Sequence, residues 1–318
     1  MRNYLPLTLI ACLVATISCN KNKPKPNTEW ERDNQNPVLR DYYSGEDYQS
    51  ASDGHVFYVD DELYMIYSGD AGGVSSIKLA RGNSLTDWEI LGPILSEPNS
   101  ENTDISKETS FYRKADNGKH QIYYIGYTDG STYQSQIFLA EADSIDGVYN
   151  QIPTPVVPRG EIAGKNVYLI TSPSVVEHDG LLYMMFIGWN NSPENVSEVW
   201  MMGATSNDDG YTWSDFQIVN TPIGMEGQVT KTPDGKFVAV STGDYKGDEA
   251  LYYATSNHPF GPYETSDNPI ITKNGSGLEK DEIIAPQITF DKTTGEEYLY
   301  YTGADHQQGW WMMLAKRK

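Results

Sequence analysis

SDGHVFYVDDELYMIYSG, Ser52 to Gly69, is the stretch whose reading decides the fold. It reads as one strand, a turn at Asp60 and Asp61, and a second strand of aromatic and aliphatic residues, types that suit a buried sheet. The same arrangement recurs along the chain. Strands of the first type are SDGHVFYV (52 to 59), KETSFYRK (107 to 114), TSPSVVEH (171 to 178), MEGQVTKT (225 to 232) and APQITFDK (285 to 292). A turn rich in Asp, Asn or Gly follows each, then a second strand: LYMIYSG, QIYYIGY, LLYMMFIGW, KFVAVSTG and EYLYYTG.

A third strand holds a late alanine in every unit, as in SIKLARG, QIFLAEA, VWMMGATS, LYYATSN and WMMLAKR. Four units continue into an outer strand, whereas the fifth stops at Lys318. The segment EWERDNQNPVL, Glu29 to Leu39, has the form of the missing outer strand. The expected fold is therefore all-β: a five-bladed β-propeller, four antiparallel strands per blade, with the last blade closed by the N-terminal strand. A solenoid of five β-units is the alternative, but it gives no reason for the first strand to match the end of the last repeat.

Residues 1–18 form a short apolar run after Arg2, an export signal too short to span a bilayer with confidence. Its end, ATISC, resembles a bacterial lipobox, in which Cys19 becomes the lipidated N-terminus; Thr16 replaces the usual leucine, so ordinary signal-peptidase cleavage stays open. Cys12 and Cys19 are the two cysteines, which leaves the mature chain no internal disulfide. Residues 19–28 read as a flexible tether, and 29–318 as a single propeller domain. The expected location is the periplasmic or cell-surface side of a bacterial membrane, with membrane contact only through the lipid.

Without the signal, 22 basic residues face 44 acidic ones. That surface repels nucleic acid and anionic glycans. With 23 Tyr and 7 Trp the chain is too aromatic to be disordered. A monomer is expected.

Matching the first strands by residue type aligns Asp53, Glu108, Ser172, Glu226 and Ala285. Innermost propeller strands line the channel, so Asp53, Glu108 and Glu226 should converge at one mouth. Gathered carboxylates repel one another and raise at least one pKa, a cost without an evident structural return. Two carboxylates in a cleft are what glycoside hydrolysis requires, one protonating the leaving oxygen and one acting as base or nucleophile.

These blades, with GMEGQV, SNHPFGPYE and IIAPQI, resemble the five-bladed glycosidases of glycoside hydrolase families 32 and 43, over nearly the whole mature chain. The resemblance implies that Asp53 is base or nucleophile and Glu226 the proton donor. It also implies an aspartate before a proline in the third blade, where this chain has Ser172 before Pro173. Glu108 is then a candidate auxiliary carboxylate. The substrate implied is an oligo- or polysaccharide with furanosyl or xylosyl units, of arabinan, xylan, fructan or galactan type. A glycan-binding propeller without turnover is the alternative.

His55, Tyr127, Ser172, Trp189, Tyr245 and Gln287 are candidate substrate-binding residues, and the aromatic ones can equally be blade packing. Ser206 to Trp213, SNDDGYTW, fits the Asp-box of sialidases, a turn device. A sialidase also needs an arginine cluster, and none of Arg32, Arg40, Arg81, Arg113, Arg159 and Arg317 falls at the aligned mouth positions. No zinc spacing, nucleophile elbow or phosphate loop is present. No cofactor is required on this reading; a calcium or sodium ion in the acidic channel is conceivable.

Overall fold

A computed structural model describes residues 29–42, 49–127, 134–193, 195–219, 224–266 and 268–318. Residues 1–28, on which the expected export signal, Cys19 and the expected tether fall, lie outside the described residues. Alternation of channel-facing and blade-facing side chains produces five antiparallel sheets. Blade 1 comprises Ser52–Val59, Glu62–Asp70, Ser75–Gly82 and Trp88–Leu95. Blade 2 comprises Ser106–Lys114, His120–Tyr127, Ser135–Ala142 and the short Asn150–Gln151. Blade 3 runs through Leu169–His178, Leu181–Trp189, Val199–Ser206 and Ser214–Ile218. Blade 4 has Gly227–Lys231, Phe237–Tyr245 and Asp248–Ser256, with a broken outer strand of Glu264–Thr265 and Ile271–Thr272.

Blade 5 contains Glu282–Phe290, Glu297–Asp305 and Gly309–Arg317, and takes its outer strand, Trp30–Arg32, from the other end of the chain. Trp30 pairs with Arg317 and Arg32 with Ala315. Asn36 extends the closure by accepting from Leu314 N at 2.7 Å and donating to Leu314 O at 2.8 Å. Each blade's inner strand contacts that of the next, and blade 5 contacts blade 1, so the ring is closed. A solenoid is thereby excluded.

The core lies between blades: His-, Phe- and Tyr-bearing inner strands meet the second strands of their neighbours in four apolar clusters. Two elements were not legible in the repeat: a hairpin of Gly160–Ile162 and Lys165–Val167, and Gln49–Ser50, which pairs parallel to Gly309 and Trp310. The Asp-box is a turn in blade 3. Asp208 accepts from Ser206 Oγ at 2.7 Å and Thr212 N at 2.9 Å, while Trp213 packs edge-on against Tyr123 of blade 2.

Candidate active site

Backbone geometry sets the site. The inner strands of blades 1, 2, 3 and 5 each carry a one-residue irregularity near their start, between Ser52 and His55, Glu108 and Ser110, Thr171 and Ser174, and Ile284 and Gln287. In each, one residue takes a left-handed conformation: Asp53 (φ 52°), Thr109 (φ 37°), Ser172 (φ 52°) and Ala285 (φ 50°). A bulge of this kind bends the strand and re-aims side chains. The alignment by residue type needs a correction here. Counted from the third-strand alanines, the ladder places Asp53, Thr109, Ser172, Gly227 and Ala285 on one rung. Glu108 and Glu226 share the preceding rung, opposite Ile125 and Thr242. A single inserted residue shifts register without changing the residue-type pattern, which is why sequence matching missed it.

Two glycines explain how Glu226 is held. A Cβ at Gly224 would lie 1.7 Å from Thr242 O, and one at Gly227 would lie 2.0 Å from Val240 O. The second strand of blade 4 thus presses directly on the backbone either side of Glu226, whose own carbonyl accepts from Thr242 N at 2.7 Å.

Asp53, Glu108 and Glu226 do come together, each partly buried. Ser52 Oγ donates to Asp53 Oδ2 at 2.9 Å, and Thr302 Oγ1 accepts from Asp53 N at 3.0 Å. Burial raises the Asp53 pKa against the lowering effect of hydrogen bonds from Ser52 and Ser68. Burial and then the Asp53 charge push Glu108 up to about 7, while Tyr127 Oη donates to Glu108 Oε2 at 3.2 Å. Glu226 is held well above the carboxylate range by burial first, then by Asp53, Glu282, Glu249 and Glu108. Its Oε2 is buried with no hydrogen-bond partner among the described residues. Burial and negative neighbours favour the protonated form of Glu226, while the hydroxyl donors on Asp53 oppose its burial and favour its ionised form.

The other candidates divide. Tyr127 belongs to the cluster: its phenol is raised far above its ordinary value by burial, then by Glu108, and also by Asp53 and Glu226. Ser172 occupies the blade 3 bulge and is buried. Tyr245 ends the second strand of blade 4 on the same face of the ring, with Lys246 Nζ 4.2 Å from its ring centre. Trp189 is 1% exposed and bonds Thr171 Oγ1 within the core, so it offers no stacking face. Gln287 spends its amide bridging blades 5 and 1: Oε1 accepts from Val56 N at 3.1 Å and Nε2 donates to Thr289 Oγ1 at 2.8 Å. His55 accepts from Tyr112 N at 2.9 Å and stacks on Phe111 at 4.0 Å. With Gln287 it lines a 460 Å³ cavity formed by the later parts of the inner strands, away from the acids. Burial drives its pKa down to about 3, so it stays neutral.

Glu249 and Glu282 are site neighbours that sequence reasoning missed. Neither stands on the aligned rung: Glu249 lies in the third strand of blade 4 itself, and Glu282 comes from the inner strand of blade 5, which packs against blade 4. Among the described residues, no three His, Cys, Asp or Glu side chains are placed to hold a metal ion.

Comparison with known proteins agrees with this architecture. No curated protein sequence matches the chain. Solved structures do, among them the BT0996 RGII complex (TM-score 0.71, 15% identity, 88% of this chain and 90% of that one). The α-L-arabinofuranosidase PaAbf62A from Podospora anserina, in complex with cellotriose, is similar too (0.66, 12%, 89% and 95%). So is the endo-arabinase from Bacteroides thetaiotaomicron VPI-5482 (0.65, 13%, 85% and 94%). At these identities the likeness speaks for the fold. The sequence model of "Glycosyl hydrolases family 43" matches residues 35–313, nearly the whole propeller, and the chain belongs to that family.

Proposed function

We propose that this glycosidase cleaves a neutral glycan with furanosyl or xylosyl units, of arabinan or xylan type, with Glu226 as general acid and Asp53 as base. The convergence of three carboxylates from blades 1, 2 and 4, with Glu226 pushed well above the carboxylate range by burial and its acidic neighbours and Asp53 hydrogen-bonded by hydroxyls, carries the reading. Glu226 would deliver its proton to the leaving oxygen as the glycosidic bond breaks, and Asp53 would take a proton from the attacking water. Glu108, tied to Tyr127 and pushed up to about 7, would add negative charge beside the developing oxocarbenium ion as the pH rises past that value. The arabinofuranosidase and endo-arabinase among the similar structures support the choice of substrate class, and the acidic surface disfavours anionic glycans.

The test is reducing-sugar release from arabinan, xylan, fructan and galactan oligosaccharides by the mature protein beside Glu226→Gln. Loss of a general acid should cost about 10²- to 10⁴-fold on substrates with poor leaving groups. Binding without turnover in both proteins would instead favour the glycan-binding reading, which the serine at position 172 supports. We further propose export with lipid anchoring at Cys19, supported by the ATISC stretch. Cys19→Ala should release the protein from the membrane fraction; membrane retention of that variant would reject the anchor.

A further inference from the structure

The second strands reach the mouth in register. Counted from the third-strand alanines, Gly69, Gly126, Gly188, Gly243 and Gly303 share one rung, and Asp70, Tyr127, Trp189, Asp244 and Ala304 share the next. From this last rung Tyr127 bonds Glu108 in blade 2. Blades 1 to 4 place a polar or aromatic side chain there, whereas blade 5 places a methyl group. The bulk returns on the neighbouring strand, where Trp310 pairs with Ala304. Glu282 pairs with Ala304 from the other side, so carboxylate, methyl and indole stand in a row on one face of the sheet.

That face is turned towards blade 1. By alternation it also carries Thr302 and Met312. Thr302 Oγ1 accepts from Asp53 N at 3.0 Å, and a Cβ at Gly54 would lie 2.6 Å from Met312 Cε. Trp310 is one strand farther out than Thr302 and two residues nearer the mouth, about 8 Å away by sheet geometry. The indole thus belongs to the same cleft as Asp53, at a distance that suits a neighbour of the cleaved sugar.

The indole is also braced. Gln49 and Ser50 pair parallel to Gly309 and Trp310, and Gln49 N donates to Gln308 O at 2.8 Å. His306 sets its ring 5.7 Å from the indole at 46°. The imidazole is held in turn, with Nε2 2.8 Å from Glu282 Oε1 and its backbone N–H donating to Asp281 Oδ2 at 2.7 Å. Trp189 and Trp311 are 1% exposed, but Trp310 is only half-buried. A rigid, partly open indole beside polar groups fits a pentose ring, whose C–H face is apolar and whose rim carries hydroxyls.

We propose that Trp310 is the stacking platform of a sugar subsite at the seam of blades 5 and 1, taking a pentose unit beside the one cleaved, with His306 as its positioning residue. The site then reads chain length, because an oligosaccharide reaches Trp310 and a single sugar unit does not.

This rests on the glycosidase reading, and the experiment separates the two claims. Values of kcat and KM are measured for wild type, Trp310→Ala, Trp310→Phe and His306→Ala on arabino- and xylo-pentasaccharides and on the pentosyl fluorides, which present one sugar unit. Pentasaccharide affinities by calorimetry and thermal midpoints accompany them. Trp310→Ala should raise KM and Kd for the pentasaccharide that wild type prefers about tenfold, with kcat nearly unchanged and the fluoride cleaved as by wild type. Trp310→Phe should restore most of the affinity, and His306→Ala should lose part of it. Unchanged pentasaccharide KM and Kd in a folded Trp310→Ala overturn the proposal, as does an equal loss on both kinds of substrate, which a merely structural residue would give. Should Trp310→Ala not fold, Trp310→Leu, which keeps bulk without a flat face, decides on the same readouts. Absence of turnover by wild type would overturn the glycosidase reading instead, and the Kd comparison would then decide on Trp310 by itself.

Discussion

At the scale of single residues, the site depends on backbone positions that carry no chemistry of their own. Gly227 sits where a Cβ would meet Val240 O at 2.0 Å, and the residue before it is Glu226. Gly227→Ala must therefore push the start of the blade 4 inner strand away from its partner, taking the carboxylate with it. The expected cost is on the order of 3 kcal/mol in stability, with a drop in kcat/KM of about 10²-fold from a displacement near 1 Å. Chemical denaturation together with steady-state kinetics checks both; a variant with wild-type values in each would show that the close approach does not fix Glu226. Asp53 and Glu226 were legible as acids in a repeat because residue type and neighbouring turns survive in sequence. That they stand on adjacent rungs was not, since a bulge changes register and leaves composition alone. Trp189 was ambiguous for a related reason: the end of a second strand can point to the mouth or into the wall, and its contact with Thr171 places it in the wall.

At the scale of elements, one device repeats in blades 5, 1 and 2. A tyrosine on the same rung of each second strand donates to a buried carboxylate, which a cation neutralises. In blade 2, Tyr124 Oη donates to Asp104 Oδ2 at 2.5 Å, with Lys107 Nζ 3.6 Å from Asp104 Oδ1. In blade 5, Tyr301 donates to Glu279 at 2.7 Å, and Arg32 bonds the same carboxylate at 2.6 and 2.7 Å. In blade 1, Tyr67 donates to Asp41 at 2.9 Å and Lys78 pairs with that aspartate. Phe186 and Ser241 occupy this rung in blades 3 and 4. Each carboxylate lies in the segment leading into an inner strand, so the triads fix where Asp53, Glu108 and Glu282 begin. Lys107 and Asp104 are fully buried, so Lys107→Met leaves an unpaired buried carboxylate. The expected loss is about 3–5 kcal/mol, a fall in Tm of roughly 6–15 °C. Adding Asp104→Leu should recover part of it; a double variant less stable than the single one would count against the triad. The tyrosines were visible in the sequence as strand residues. Their partners were not, because 26 residues separate Asp41 from Tyr67 and 247 separate Arg32 from Glu279.

At the scale of the molecule, the ring joins its two ends and concentrates negative charge at one mouth, and both follow from the repeat. The closing strand was legible because a missing fourth strand at Lys318 and an unpaired one at Glu29 complete each other. The gathered charge has a thermodynamic consequence. Glu108, Glu249 and Glu282 are each pushed up to about 7, chiefly by burial. In the unfolded chain they titrate at about 4.3. Between those values the folded protein binds more protons than the unfolded one, so stability falls as pH rises. These groups are neutral in both states below the unfolded value, and above about 7 their full penalty is present. The sum is on the order of several kcal/mol, reduced by solvent where the side chains are partly exposed. The lowered carboxylates, such as Asp208 and Asp291, act in the opposite sense and only in acid, below their unfolded values. Buried His55, pushed down to about 3, and the lowered His120 and His258 favour the folded state as pH rises towards their unfolded value of 6.5, and add nothing further above it. Thermal midpoints measured from pH 6.5 to pH 8 at fixed ionic strength should therefore decline, and the decline should shrink in Glu282→Gln, which has one such group fewer. A midpoint that rises across this range would mean that the mouth carboxylates are solvated and ionised in the folded protein.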